Sequence, residues 1–202
     1  MKRLLIVVLM LGLAVSIAKA DIPDPSNCTC DLDVTGRCYM CPDGIVDHPG
    51  ASFCVNVRNA AGNPIPNIPV TINIGGQGTG QTYICPGQTL TVMTEASGTA
   101  CFNLGGSGCY KHQPDACVIV ANNVTIREYP HVMSSDYADW DDNGVPGRWD
   151  RLVNPVDLAA FVTAYQGGVG PASCHDYDND GTTGPTDLAI FIVAYMGGAN
   201  WC

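Results

Sequence analysis

Phe53-Cys54-Val55-Asn56-Val57-Arg58 and Ile68-Pro69-Val70-Thr71-Ile72-Asn73-Ile74 decide the fold class. In both stretches every second side chain is apolar, the period of a strand with one buried face. The same phase recurs at Ala100, Phe102 and Leu104, and shorter apolar runs cover Cys117 to Ala121 and Val124 to Ile126. Gly62-Asn63-Pro64 and Gly75-Gly76 punctuate the runs with turn chemistry. Several short strands of this kind predict an antiparallel β-sandwich over residues 51–134.

Composition agrees with short strands and many turns. Of 202 residues, 23 are Gly and 14 are Pro, and only 14% are charged. Nineteen acidic residues against nine basic ones leave a net charge of −10, which argues against a nucleic-acid partner.

The first twenty residues stand apart. Lys2 and Arg3 precede an apolar run from Leu4 to Val15, and Ala18-Lys19-Ala20 forms a small-x-small cleavage pattern. That is a signal peptide over residues 1–20 rather than an anchor, because a spanning helix needs about 20 apolar residues. The expected product is secreted, extracellular or at the cell surface, with no membrane span.

Export governs the reading of eleven cysteines: Cys28, Cys30, Cys38, Cys41, Cys54, Cys85, Cys101, Cys109, Cys117, Cys174 and Cys202. In an oxidising compartment they read as a disulfide framework, and the odd number leaves at least one thiol free or paired with another chain. Cys54 and Cys101 share the off-core phase of neighbouring strands, so a cross-strand bridge suits them. Cys109 and Cys117 could close a small ring, and Cys174 and Cys202 could clasp the ends of the last segment. Cys28, Cys30, Cys38 and Cys41 also have the spacing of a four-thiolate zinc knuckle, the rival to disulfides there. Residues 21–50 lack a sustained period and read as a Cys-rich leader.

Residues 135–202 carry a duplication. Asn154 to Gly168 aligns with Gly184 to Gly198, nine of fifteen positions being identical. Each copy has Pro155 or Pro185 at a helix start, an acid in the first turn and a Gly-Gly stop. Leu158, Phe161, Val162 and Tyr165 are expected on one buried face, as are Leu188, Phe191, Ile192 and Tyr195.

Ahead of the second helix stands Asp176-x-Asp178-x-Asp180-Gly181-Thr182, closed by Asp187. Acids at positions 1, 3, 5 and 12, glycine at 6 and a carbonyl at 7 (Thr182) meet the demand of calcium for six to eight oxygens. Asp139-x-Asp141-x-Asn143-Gly144 begins a first loop in the same way. Its helix starts seven residues late, so Asp157 closes it by helix alignment and Asp150 is the rival. The insertion, with Arg148 and Trp149, is expected to protrude. His175 is expected to be a solvated neighbour of the second loop.

Two families are resembled. Val55 to Ile65, the strand through Val70 and Ile72, and Thr94 to Phe102 resemble bacterial immunoglobulin-like repeats, which implies a seven-strand-type sandwich and no chemistry of its own. Residues 136–202 resemble a dockerin-type duplicated module, two F-hand loops each followed by one helix. That likeness implies two Ca2+ ions on Asp139, Asp141, Asn143 and Asp157, and on Asp176, Asp178, Asp180 and Asp187. It also implies a cohesin-like extracellular partner, recognised in part through Pro155-Val156 and Pro185-Thr186.

Catalytic patterns are missing from the sequence. The four histidines form no zinc-protease motif, and Gly105-Gly106-Ser107-Gly108-Cys109 lacks the last glycine of a nucleophile elbow. The Gly75 to Gly80 cluster has no Lys-Ser/Thr end for phosphate. The chain is therefore expected to be a non-catalytic, calcium-binding structural or adhesion protein. The alternative is a carbohydrate- or protein-binding component of an extracellular assembly.

Overall fold

The computed structural model describes residues 22–40, 51–77, 81–85, 89–137, 150, 152–167 and 174–197. Its strands are β1 (Thr29–Cys30), β2 (Cys38–Met40), β3 (Ser52–Asn56), β4 (Pro69–Ile74), β5 (Thr82–Ile84) and β6 (Thr91–Met93). They continue with β7 (Thr99–Asn103), β8 (Gly106–Lys111), β9 (Cys117–Ala121), β10 (Val124–Tyr129) and β11 (His131–Ser134). Two helices follow, α1 (Pro155–Gly167) and α2 (Pro185–Met196), each starting at the expected proline. The protein is mainly β.

The strands form three sheets, ordered β1-β3-β7, β10-β9-β4-β6 and β2-β11-β8-β5. The first two share one core. Phe53, Val55 and Val57 turn inward from one sheet, and Val70, Ile72, Ile119 and Ala121 from the other. Phe53 stacks on Phe102 with ring centroids 5.7 Å apart. Burying each such aliphatic or aromatic side chain contributes ~1.5–3 kcal/mol, so this alternation holds the sheets together.

Residues 22–40 belong to this architecture. Cys28 and Cys30 are buried on either side of exposed Thr29, and β1 pairs with β3. Arg127 of β10 fastens the segment, donating to Asp33 at 2.9 Å and to the carbonyls of Pro25 and Cys28 at 2.8 and 2.5 Å. Tyr129 adds an O–H bond to the same Asp33 oxygen at 2.5 Å.

The third sheet joins early sequence to late. β2 runs parallel to β11, setting Tyr39 opposite Met133. Tyr39 and Met133 then enter a second core with Cys109, Val153, Phe161, Tyr177, Phe191 and Ala194. Rings lie in sequence through this core: Phe161 stacks on Phe191 at 4.9 Å, and Tyr177 meets Tyr39 edge-on at 5.4 Å.

Three disulfides are present among the described residues: Cys38–Cys117, Cys54–Cys101 and Cys109–Cys174. Cys54 and Cys101 are register partners on β3 and β7, as their phase anticipated. The Cys109–Cys117 ring and the Cys174–Cys202 clasp are corrected: Cys109 crosses to Cys174 and Cys117 to Cys38. With Cys38 committed, the four-thiolate zinc site with Cys28, Cys30 and Cys41 does not form. Cys28 and Cys30 are free, buried thiols, and burial pushes both above the usual thiol range. Such bridges suit an oxidising, extracellular-like environment. No described helix is long and apolar enough to cross a membrane.

The helical stripe also differs from expectation. Asp157, Phe161 and Ala164 are the buried residues of α1, and Asp187, Phe191 and Ala194 those of α2. Val162, Tyr165 and Ile192 are exposed instead. Phe161 and Phe191 are buried as expected, and Leu158, Leu188 and Tyr195 pack against the same core. The helices are apolar nearly all round, however, so periodicity alone set the edge of the stripe wrongly. Mass spectrometry of the unreduced protein should find the 38–117, 54–101 and 109–174 cross-linked peptides. Alkylation should reach Cys28 and Cys30 only after denaturation.

Candidate metal centre

The loop before α2 is built around one carboxylate. Asp187, in the first turn of α2, accepts the Asp178 N–H at 3.0 Å and the Tyr177 N–H on Oδ1. Its Oδ2 accepts the Gly184 N–H at 2.7 Å, satisfying a donor that the helix start would otherwise leave open. Asp176 accepts the N–H groups of Asp180 and Gly181 at 3.1 and 3.2 Å. Asn179 and Gly181 take left-handed backbone angles, φ 60° and 95°, which bend the chain so that Asp176, Asp178 and Asp187 converge.

Carboxylate oxygens of Asp176, Asp178 and Asp187 lie within 4.8 Å of one another. Oxygens on a single calcium ion, each 2.3–2.6 Å from it, can be up to about 5 Å apart, so the triad fits a shared hard cation. Asp176 and Asp187 are fully buried, and burial pushes both carboxyls above the usual range, with backbone N–H bonds pulling them back. Such crowding of acids is what a cation would relieve.

Asp180 and Thr182 are not part of the triad. Both are exposed, and Asp180 Oδ1 accepts the Thr182 N–H and O–H, each at 2.8 Å. His175 is buried rather than solvated. It sits among Tyr137, Phe161 and Tyr177, its Nδ1 is 3.2 Å from the Tyr177 hydroxyl, and burial drives its pKa down to about 4.

The first copy repeats the anchoring bonds. Asp157 accepts the Tyr137 N–H and the Asn154 N–H, both at 3.0 Å. Tyr137 thus occupies the place of Tyr177, Asn154 that of Gly184, and Asp136 that of Asp176. Asp136 is fully buried, as Asp176 is. Twenty-one residues separate Asp136 from Asp157, and eleven separate Asp176 from Asp187, so the extra chain lies between matched ends. Sequence alignment of the loops from Asp139 overlooked Asp136. The signal was the Asp-Tyr pair repeated at 136–137 and 176–177. Asp139, Asp141, Asn143, Arg148 and Trp149 lie outside the described residues. Asp150, the rival closing acid, instead accepts the Leu152 N–H at 2.7 Å and the Asn154 side-chain amide at 2.9 Å.

No family model, curated protein or solved structure matches the chain. The local chemistry stands on its own. Asp187→Ala, melted in the presence of chelator, should lose about 1–3 kcal/mol because three amides lose their acceptor. Asp180→Ala under the same conditions should change stability by no more than about 0.5 kcal/mol.

Proposed function

We propose that the chain is a secreted, non-catalytic calcium-binding protein in which an Ig-like sandwich carries a dockerin-like helix pair. The observation that carries the reading is the triad of Asp176, Asp178 and Asp187, drawn together on a loop that a helix N-terminus closes. Calcium is the preferred ion because every donor is a hard oxygen and no thiolate or imidazole takes part. Its role is to fix the loop on which the second core rests. A second ion belongs to the first copy, with Asp157 closing, Asp136 in the place of Asp176, and Asp139, Asp141 and Asn143 as its remaining candidate ligands.

The protein-binding reading is favoured by one further observation. Val156, Val162, Tyr165, Ile192, Val193 and Met196 are large apolar side chains left exposed on the two helices. A helix apolar on every side is normally covered, so these exposed side chains support docking to an extracellular protein of the cohesin kind. The bridges and the signal-like start support secretion.

Calorimetric titration of the chelated protein with calcium should show two ions bound per chain. At a hundred times the dissociation constant, each stabilises the fold by about 2.7 kcal/mol. Tyr39, Met133 and Cys109 share the second core, so chelation should loosen the third sheet together with the helices. No uptake at millimolar calcium, or a melting curve indifferent to chelator, would remove the metal from this function. Capture of a cohesin-like domain in calcium and its release by chelator would test the docking role.

A further inference from the structure

The acidic loop is met by a cation from the far end of the chain. Arg37 lies between Thr35 and β2, and only 2% of it is exposed. Its backbone neighbourhood rests on the loop. Asn179 donates from its side-chain amide to the Thr35 carbonyl at 3.0 Å, and a Cβ on Gly36 would lie 3.5 Å from that amide nitrogen. The guanidinium stands 5.8 Å from the centroid of Tyr39, the ring that packs edge-on against Tyr177.

Nε and Nη1 of Arg37 are buried and have no hydrogen-bond acceptor. Its stabilising partners are therefore charges at longer range. Burial works against its charge, and the Tyr39 phenol, then Asp178, Asp187 and Asp176, offset part of that cost. A buried guanidinium with two of its nitrogens lacking acceptors is costly to keep, and its charge is not lost by deprotonation. Its place next to Thr35 and Gly36, which rest on Asn179 of the acidic loop, suggests what the charge does.

We propose that Arg37 is the built-in counter-cation of the Asp176–Asp178–Asp187 site, holding the loop together when calcium is absent and weakening calcium binding when it is present. The guanidinium offsets part of the mutual repulsion of the carboxylates, and it repels a divalent ion that enters among them. The loop then stays folded over a range of calcium concentrations and releases the ion more readily than its acid count alone implies. This inference rests on the calcium reading of the site.

The test compares wild type with Arg37→Gln, Arg37→Met and Arg37→Lys, by calcium calorimetry and by melting in chelator. Removing the charge should tighten calcium binding at one site about tenfold or more. The same two variants should melt below wild type in chelator and recover most of the difference in calcium. Arg37→Lys should keep near-wild-type affinity. Arg37→Met keeps the apolar stem, which guards against a fold lost through packing. Unchanged or weaker calcium affinity in both neutral variants, with wild type binding normally, would overturn the role of Arg37 alone. Absence of uptake in all four proteins would overturn the calcium reading and this inference together.

Discussion

The edge-on contact of Tyr39 with Tyr177 is the joint on which the late part of the protein depends. Tyr39 is held by the parallel pairing of β2 with β11, and Tyr177 follows the first acid of the loop before α2. Both rings are fully buried, and Phe161 and Phe191 of the helices share their core. Isolated helices of 12 or 13 residues are marginal in water. Their persistence follows from this shared core, which the Cys109–Cys174 bridge ties to β8.

The same joint decides where charge goes. The buried stripe of each helix begins with an acid, Asp157 or Asp187, and continues into a phenylalanine and an alanine. Folding the helix onto the core therefore carries a carboxylate inward. Backbone N–H groups of the preceding loop meet it in both copies. In the second copy two further acids arrive at the same point, and the segment before β2, which carries Arg37, rests on Asn179 of that loop. Core packing and site assembly are one event, because the residue that caps the helix also joins the acidic triad.

The helix pair meets the rest of the β structure through the third sheet, whose strands come from the leader, the middle and the end of the middle stretch. That sheet shares residues with both cores, Met40 and Val132 facing one, Tyr39 and Met133 the other. Alternation along β2 and β11 makes this possible, since successive side chains point to opposite faces. A change at the loop is thus transmitted to a sheet rather than confined to two helices.

Sequence by itself determined the local elements. Period two marked β3, β4 and β7, apolar runs marked β9 and β10, proline placed both helix starts, and the spacing of Asp176, Asp178 and Asp187 anticipated their convergence. The Cys54–Cys101 bridge was legible because both residues share a strand phase. Only the tertiary structure decided which helical stripe is buried, since Val162 and Ile192 are as apolar as the residues beneath them. It alone decided the pairings of Cys38 with Cys117 and of Cys109 with Cys174, across separations of 79 and 65 residues. It also set Arg37 against a loop some 140 residues away and matched Asp136 with Asp176. The physical reason is common to these cases. Periodicity reports one element's own faces, whereas partners distant along the chain are chosen by packing, which local pattern does not encode.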